Sequence, residues 1–315
     1  MRVVFMGTPD FAVGTLEALL QSRHQVVAVV TQPDKPKGRG KAMQFTAVKE
    51  VAVRAEIPVL QPKKVREPEV VEEIRQFHPD VIVVVAFGQL IPKAILDMPQ
   101  YGCVNVHASL LPKYRGAAPI QWAVIDGEEK SGVTTMQMDE GLDTGDMLLT
   151  EEVVLDSQET GGSLFDKLSE VGAGLLLKTL DELEAGNVHP QKQPKESTTA
   201  YAAMLTKKMG EIDWTKSAVQ IERLVRGLNP WPSAYTHLGQ KTLKIWRAAV
   251  HPLSEQKKEP GTVILMDKKH FGVQTGDGML EILELQLEGK KRMDADAFLR
   301  GCHIEAGSRF TDKKE

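Results

Sequence analysis

The sequence predicts an α/β fold, with a parallel β-sheet in the first part of the chain and a smaller, mostly β-stranded domain after it. Three observations support this prediction. Apolar, strand-like runs alternate with amphipathic helical segments through residues 1–188. Residues 189–207 are rich in Gln, Lys, Pro, Ser and Thr, which is the composition of a linker. Short strand-like runs separated by turn residues fill the second domain, 208–315.

Residues 2–30 predict how the sheet is paired. Residues 2–6, Arg-Val-Val-Phe-Met, have the pattern of a largely apolar strand that ends at Gly7, helical spacing follows over 11–20, and residues 25–30 are again strand-like. A strand, a helix and a second strand in so short a span predict parallel pairing with a right-handed crossover. The first turn lacks the Gly-x-Gly-x-x-Gly pattern that seats a dinucleotide, which argues against a nicotinamide enzyme. We therefore expect a Rossmann-like sheet that binds no dinucleotide.

The remaining elements of the first domain follow from the same patterns. Residues 80–86 read Asp-Val-Ile-Val-Val-Val-Ala, and the unbroken branched apolar run at 81–85 is typical of a central strand buried on both faces. Helices are expected at 44–56, 66–77 and 161–185, and further strands at 57–60, 103–107, 134–138 and 147–155. The strand at 134–138 is expected to deliver Asp139 and Asp143 to the sheet end at which the strand at 103–107 finishes.

The second domain has the pattern of a small barrel. A helix is expected at 219–228, before Asn229-Pro-Trp-Pro232, and a last helix at 294–300. Strands are expected at 242–250, 261–266, 271–275 and 279–287. Several short strands with one terminal helix suit an OB-like β-barrel.

Composition and charge restrict the functional classes. The 315 residues are 42% hydrophobic and 26% charged, with no run of eighteen apolar residues and no visible targeting peptide. We therefore expect a cytoplasmic protein that makes no membrane contact. The net charge is −4, but residues 207–315 carry 19 Lys and Arg against 15 Asp and Glu. This small basic surplus is compatible with contact to a phosphate backbone.

Polar and apolar residues alternate in the strand at 103–107. Asn105 and His107 share one face, because residues two apart in a strand point the same way, and two valines share the other. The strand stops at Ser109-Leu-Leu-Pro112, a turn whose backbone groups are expected to be free for a ligand. Active sites of parallel sheets lie beyond the carboxyl ends of the strands. This strand end is therefore the expected site.

A carboxylate is expected to join this pair from a second loop. Asp143 lies between Gly141 and Gly145, which allow the backbone to bend sharply. A carboxylate beside an imidazole orients the ring and favours its charged form. An amide, an imidazole and a carboxylate together suit a reaction that builds negative charge on a carbonyl oxygen.

The two motifs together form a long and specific pattern. Asn105-Val-His-x-Ser-Leu-Leu-Pro-x-x-x-Gly-x-x-Pro119 is followed by Asp139-x-Gly-x-Asp-x-Gly145. This pattern resembles the folate-dependent formyltransferases, and the chain is most similar to the members that act on tRNA. The likeness runs from Gly7-Thr-Pro-Asp-Phe11 through Asn229-Pro-Trp-Pro232 to Gly276-Asp-Gly278.

The resemblance implies a reaction and a set of site residues. The reaction is transfer of the formyl group of 10-formyltetrahydrofolate to the amino group of methionine on the initiator tRNA, by a monomeric enzyme without a metal. Asn105, His107 and Asp143 are the expected catalytic residues. The expected folate-binding residues are Ser109, Leu110, Leu111 and Pro112, with Phe87 and Leu90 beside the pterin ring. The basic loop at 35–41 is expected to contact the tRNA through Lys37, Arg39 and Lys41.

Several alternatives remain open from the sequence. A formyltransferase for a glycinamide ribotide or an amino sugar nucleotide would share the same three catalytic residues. A non-enzymatic RNA-binding protein would need none of them. Cys103 and His107 share a strand face, as in a cysteine hydrolase. Cys103 and Cys302 match no metal spacing and no redox motif, and the site has one imidazole, so a metal enzyme is poorly supported.

Overall fold

The computed structural model describes residues 1–37, 42–252, 258–302 and 304–310, and it divides into two compact units. The first unit contains Met1–Pro119, Lys130–Val154 and Phe165–Ala202, and the second contains Ile120–Glu129, Leu155–Leu164 and Ala203–Glu315. The sequence predicted a single boundary instead. Residues 120–129 and 155–164 belong to the second unit because residues 223–229 form hydrogen bonds to them. Arg223 donates to the carbonyl of Asp126, Arg226 to that of Glu159, and the Gly162 amide to Asn229.

The first unit holds strands β1 to β9. They are β1 (Arg2–Gly7), β2 (Gln25–Val30), β3 (Lys35–Lys37), β4 (Ala42–Gln44), β5 (Val59–Leu60), β6 (Val81–Val85), β7 (Cys103–His107), β8 (Lys130–Gln137) and β9 (Met147–Val154). The helices are α1 (Phe11–Leu20), α2 (Ala47–Arg54), α3 (Pro68–Arg75), α4 (Lys93–Leu96), α5 (Pro119–Asp126) and α6 (Gly161–Glu184), of which α5 and α6 extend into the second unit.

The main sheet has the order β5-β2-β1-β6-β7-β8-β9. Strand β1 pairs in parallel with β2 and β6, and β6 with β7, as the sequence predicts. Every residue of β6 is buried, as expected for a central strand covered on both faces. The pairings of β7 with β8 and of β8 with β9 are antiparallel. The Rossmann-like sheet is therefore confirmed, but its last two strands make it mixed.

The direction of β8 corrects one prediction. His107 pairs with Thr134 and Val104 with Gln137, so β8 runs from the end of β7 back to its beginning. Residues after Gln137 therefore emerge at the opposite end of the sheet from the predicted one, and the Met138 amide donates to the carbonyl of Cys103. The loop at 138–146 must fold back along the sheet to bring Asp143 near His107.

The segment predicted as a linker is ordered through Ala202. Gln191 exchanges two backbone hydrogen bonds of 2.8 Å with Met147. The Ala202 amide donates to the carbonyl of Arg115, and its own carbonyl accepts from the amides of Ala117 and Ala118. Polar side chains of the segment also bond to the chain after β7, where Ser197 Oγ donates to the carbonyl of Pro112 and Thr199 Oγ1 accepts from the Tyr114 amide.

The second unit is built on an antiparallel sheet. Its elements are α7 (Ala218–Gly227), β10 (Ala234–Leu238), β11 (Lys241–His251), β12 (Val263–Leu265), β13 (Phe271–Gln274), β14 (Met279–Leu287), β15 (Met293–Asp294) and α8 (Ala295–Gly301). The strand order is β10-β11-β14-β13-β12, with β15 paired to β14. Trp214, Phe271 and Phe310 lie in its core, where Trp214 Nε1 donates to Thr236 Oγ1 at 3.1 Å. The β-rich second domain is confirmed, and closure into a barrel stays a prediction.

None of the helices in the described ranges is long and apolar enough to cross a membrane.

Candidate active site

Strand β7 carries the first two polar residues of the site. It lies between β6 and β8, and Val104 and Val106 on one face are buried, as the alternating pattern predicts. Asn105 and His107 occupy the other face. The side-chain oxygen Oδ1 of Asn105 is buried and has no hydrogen-bond partner among the described residues. Because buried acceptors are almost always paired, this oxygen marks a place for a ligand donor.

The ring of His107 is hydrogen-bonded to the main chain through one of its two nitrogens. The residue is 6% exposed, and Nε2 lies 3.0 Å from the carbonyl oxygen of Tyr114. A carbonyl only accepts, so Nε2 carries a proton and donates it. The other nitrogen, Nδ1, lies 3.8 Å from Oδ1 of Asp143. Nε2 therefore donates to the main chain and is not free to donate to an oxyanion, and Nδ1 is the ring nitrogen directed at Asp143.

Asp143 lies in a tightly folded loop. Its φ of 55° is in the left-handed region, and its Oδ2 accepts from the Gly116 amide at 2.9 Å. Asp139 closes the start of the loop, because its Oδ1 accepts from the Gly141 amide and from Thr144 Oγ1. A side chain at Gly145 would place its Cβ 1.8 Å from the carbonyl oxygen of Gln137. Glycine is therefore required there, whereas Asp139 has a structural role.

Asn105 and Asp143 line one cavity of about 340 Å³ in the first unit. Phe87, Leu90 and Met138 contribute apolar walls, and the backbone at Gly88 bends through a positive φ of 84°. Leu90 is 73% exposed, although it is a large apolar residue. An exposed apolar wall beside an unpaired acceptor suits a flat ring with polar edges. Four residues predicted from the sequence, Phe87, Leu90, Asn105 and Asp143, are thus brought together.

The turn at Ser109, Leu110, Leu111 and Pro112 differs from its prediction. Thr134 Oγ1 donates to the carbonyl of Ser109 at 2.7 Å and accepts from the Leu111 amide at 3.1 Å. Ser197 Oγ donates to the carbonyl of Pro112 at 2.6 Å. The backbone groups expected to be free are therefore largely occupied, because β8 and the segment after α6 pack against the turn. Folate contact through these four residues stays a prediction.

The basic loop is only partly described. Lys37 ends β3, whereas Arg39 and Lys41 lie outside the described residues. Strands β3 and β4 border a second cavity of about 350 Å³, which Thr8 and Gln32 also line. Thr8 Oγ1 and Gln32 Nε2 both donate to the carbonyl of Phe87, at 3.1 and 3.2 Å. These bonds fix the loop that forms one wall of the cavity at Asn105.

The cysteine hydrolase hypothesis is wrong. Cys103 is 1% exposed and its Sγ contacts the carbonyl oxygen of Ile95 at 3.6 Å. Burial raises the pKa of the Cys103 thiol to about 12, because a thiolate would lose its hydration. A nucleophilic thiolate is therefore excluded at neutral pH. In the part of the chain that the structure describes, no cluster of three His, Cys, Asp or Glu residues is arranged to hold a metal.

Gln193 contacts the loop of Asp143 and Arg115 contacts Gln193, and the sequence predicted neither contact. Gln193 Nε2 donates to the carbonyl of Asp143, and Arg115 donates to Gln193 Oε1. No sequence signal marks Gln193, because it stands in a stretch with the composition of a linker. Arg115 lies within the long motif, but nothing in its spacing predicts a buried guanidinium.

Comparison with known proteins shows the family. The Formyl transferase profile matches residues 1–180, and the Formyl transferase C-terminal domain profile matches residues 204–303. The chain belongs to the formyl transferase family. It is 60% identical over 311 residues to the methionyl-tRNA formyltransferase of Agathobacter rectalis, covering 99% of this chain and 100% of that protein. The same-named proteins of Lachnospira eligens and Clostridium novyi are 61% and 52% identical, each over 98% of this chain and over 98% and 99% of their own lengths.

Solved structures of formyltransferases share the fold. A sugar 3N-formyl transferase, WlaRD, solved in the presence of dTDP and 5-N-formyl-THF, matches with a TM-score of 0.66 at 17% identity. That match covers 92% of this chain and 99% of WlaRD. HypX from Aquifex aeolicus, in complex with tetrahydrofolic acid, matches with a TM-score of 0.59 at 19% identity, over 99% of this chain and 50% of HypX.

Proposed function

We propose that this protein transfers the formyl group of 10-formyltetrahydrofolate to the α-amino group of methionine esterified to the initiator tRNA. Formyl transfer is the chemistry of its family. The relatives named methionyl-tRNA formyltransferase match it over almost the full length of both chains, which supports methionyl-tRNA as the acceptor. A substrate of this kind places the protein in translation initiation.

The observation that carries the proposal is the convergence of Asn105 and Asp143 on one cavity, with His107 Nδ1 3.8 Å from Asp143 Oδ1. The cavity has an apolar wall at Phe87 and Leu90. These features fit the two parts of the proposed donor. The wall suits the pterin ring, and the polar residues suit the formyl group that reacts.

Asn105 would stabilise the charge that forms during attack. The new bond joins the amine nitrogen to the formyl carbon, and the formyl oxygen becomes anionic before the bond from carbon to N10 breaks. The Nδ2 group of Asn105 donates to that oxygen, and a donor so placed contributes about 3 kcal/mol. The unpaired Oδ1 accepts an N–H of the attacking amine. Both ends of one amide then bind the two reacting groups.

Asp143 would receive the proton that the amine loses. An α-amino group has a pKa of about 8, so a fraction is already neutral near pH 7 and no strong base is needed to create the nucleophile. After attack the nitrogen is positively charged and must release a proton. The carboxylate of Asp143 accepts it, and the released N10 of the folate takes up a proton in turn. His107, fixed by Tyr114, presents Nδ1 to this carboxylate.

The second unit offers a surface that supports an RNA acceptor. A groove of about 530 Å³ is lined by Trp231, Tyr235 and His237, with Lys207 and Lys244 on its sides. Trp231 is 55% exposed. Tyr235 is partly buried, His237 is buried and Glu211 also lines the groove, so Trp231 is the ring that a base can reach. An exposed aromatic ring beside lysines suits RNA, because an unpaired base stacks on the ring and phosphates pair with the cations. A small amino sugar acceptor would need no such groove.

A direct assay tests the proposal. The purified protein is mixed with 10-formyltetrahydrofolate and initiator methionyl-tRNA, and the aminoacyl ester is released and identified by mass. Elongator methionyl-tRNA and a dTDP-linked amino sugar serve as parallel acceptors. We expect N-formylmethionine from the initiator tRNA. Formylation of the amino sugar without formylation of methionyl-tRNA would show that the acceptor is an amino sugar and would refute the proposal.

A further inference from the structure

Gln193 fixes the backbone of the loop that carries Asp143. Its Nε2 donates to the carbonyl oxygen of Asp143 at 2.9 Å and to that of Gly145 at 2.7 Å. Both acceptors belong to the main chain on either side of Thr144. A single side-chain amide thus holds the two carbonyl groups of this turn, although Gln193 is fifty residues away in sequence.

Arg115 fixes the orientation of the Gln193 amide. Its guanidinium is buried, and Nε and Nη2 donate to Gln193 Oε1 at 3.0 and 2.8 Å. The same guanidinium donates to the carbonyl oxygens of Pro194 and Lys195. Because arginine only donates, Oε1 must face Arg115 and Nε2 must face the two carbonyls of the loop. The amide has one satisfactory orientation.

The loop of Asp143 requires such support. Strand β8 delivers the loop to the far end of β7, so the chain must fold back before Asp143 can reach His107. Asp143 also adopts a φ of 55°, a left-handed conformation that costs a non-glycine residue about 1–2 kcal/mol. The carboxylate itself makes one hydrogen bond to a main-chain amide, that of Gly116. The bonds from Gln193 hold the backbone in the conformation that aims this carboxylate.

We propose that Gln193, oriented by Arg115, is a positioning residue for formyl transfer, and that it acts by holding the Asp143 carboxylate beside His107. The inference rests on the proposed function, because Asp143 receives the proton there. It assigns a role in the reaction to the ordered segment that follows α6, whose composition suggests a passive linker.

Gln193→Glu tests the proposal sharply. A carboxylate keeps the contact to Arg115, but it sets oxygen against the carbonyls of Asp143 and Gly145 and cannot donate to them. We expect kcat to fall about 100-fold, the loss typical of a misplaced reacting group, while KM for the folate and for the tRNA stays within about threefold. Gln193→Met, which has a similar length and removes both sets of bonds, should also lower kcat.

The matched control is Gln191→Glu. Gln191 is exposed and lies two residues earlier in the same segment, where its backbone pairs with Met147. This variant introduces the same charge and should keep wild-type kcat. Because Gln193 acts through Asp143, adding Gln193→Glu to Asp143→Asn should lower kcat by less than about threefold further. Unchanged kcat in both Gln193 variants, or full losses that multiply in the double variant, would overturn the proposal.

A second readout does not depend on the acceptor. The Gly116 amide donates to Asp143 Oδ2, so its hydrogen exchange, followed by NMR, reports where the carboxylate lies. We expect exchange to be about tenfold faster in Gln193→Glu and unchanged in Gln191→Glu. Unchanged exchange in both variants would refute the positioning role. A wild-type protein that formylates no methionyl-tRNA would instead refute the proposed function, and the exchange result would still decide the role of Gln193.

Discussion

The imidazole of His107 is held between a main-chain carbonyl and a carboxylate. Its Nε2 donates to Tyr114 at 3.0 Å, and its Nδ1 lies 3.8 Å from Oδ1 of Asp143. The second distance is longer than a hydrogen bond, and a movement of about 1 Å would form one. The ring is thus oriented by the fold itself, with Nδ1 directed at the carboxylate.

Asp143→Asn should lower turnover far more than folate affinity. Asparagine keeps an oxygen for the Gly116 amide but cannot take up a proton from the amine. We expect kcat to fall by about 100-fold or more, within the usual contribution of acid–base catalysis, and the Kd of the folate to change by less than about threefold. Steady-state kinetics and a donor titration measure the two quantities. Equal losses in both would place Asp143 in binding rather than in catalysis.

Asn105→Asp should also be strongly impaired. The substitution preserves shape but replaces the amide donor with a carboxylate that repels the developing oxyanion. We expect kcat to fall by about 100- to 1000-fold, as for other losses of an oxyanion donor. Asn187→Asp, an exposed position in the same unit, is the control for the added charge and should behave as wild type. Near-normal turnover of the Asn105 variant would remove this residue from the mechanism.

The two cysteines should differ in their reactivity. Burial raises the pKa of the Cys103 thiol to about 12, so the reactive thiolate is absent from the folded protein at pH 8 and forms only as the pH approaches 12. Cys302 is partly exposed. An aromatic disulfide reagent at pH 8 should therefore label one thiol in the folded protein and two after unfolding in guanidinium. Rapid labelling of Cys103 in the folded protein would contradict its burial.

Thr134→Val should destabilise the first unit. The hydroxyl of Thr134 bonds the carbonyl of Ser109 and the amide of Leu111, so valine leaves two buried backbone groups unpaired. We expect the free energy of unfolding to fall by about 2–6 kcal/mol, at about 1–3 kcal/mol for each unpaired group. Thr150→Val, at the exposed residue that pairs with Thr134 across β8 and β9, is the matched control. Urea denaturation measures the free energy of unfolding of both variants. Equal losses in the two would show that the Thr134 hydroxyl does not stabilise the turn.

Trp231→Ala should weaken binding of the tRNA and spare the folate. Stacking of a base on an aromatic ring contributes about 1–3 kcal/mol, so KM for methionyl-tRNA should rise at least about fivefold, with kcat unchanged at saturation. Leu265→Ala removes another exposed apolar side chain of the second unit and should leave KM unchanged. If the KM for methionyl-tRNA is unchanged in the Trp231 variant, the groove does not bind the tRNA.

The sequence by itself determined the local features of the protein. The branched apolar run at 81–85 predicted a central strand, and the alternation in Cys103–His107 predicted which residues face the core. Short-range periodicity records these features directly, because burial on one or both faces selects residues at fixed spacing. The long motif around Asn105 likewise predicted the family, and the comparisons confirm it.

Only the tertiary structure decided how distant segments meet. The antiparallel direction of β8, the return of its loop toward His107 and the contact from Gln193 to Asp143 each depend on pairings across many residues. No periodicity marks such contacts, since a polar segment that bonds to a loop has the same composition as a solvated linker. Strand alternation is the same in either direction, so it could not predict from which end of the sheet Asp143 arrives.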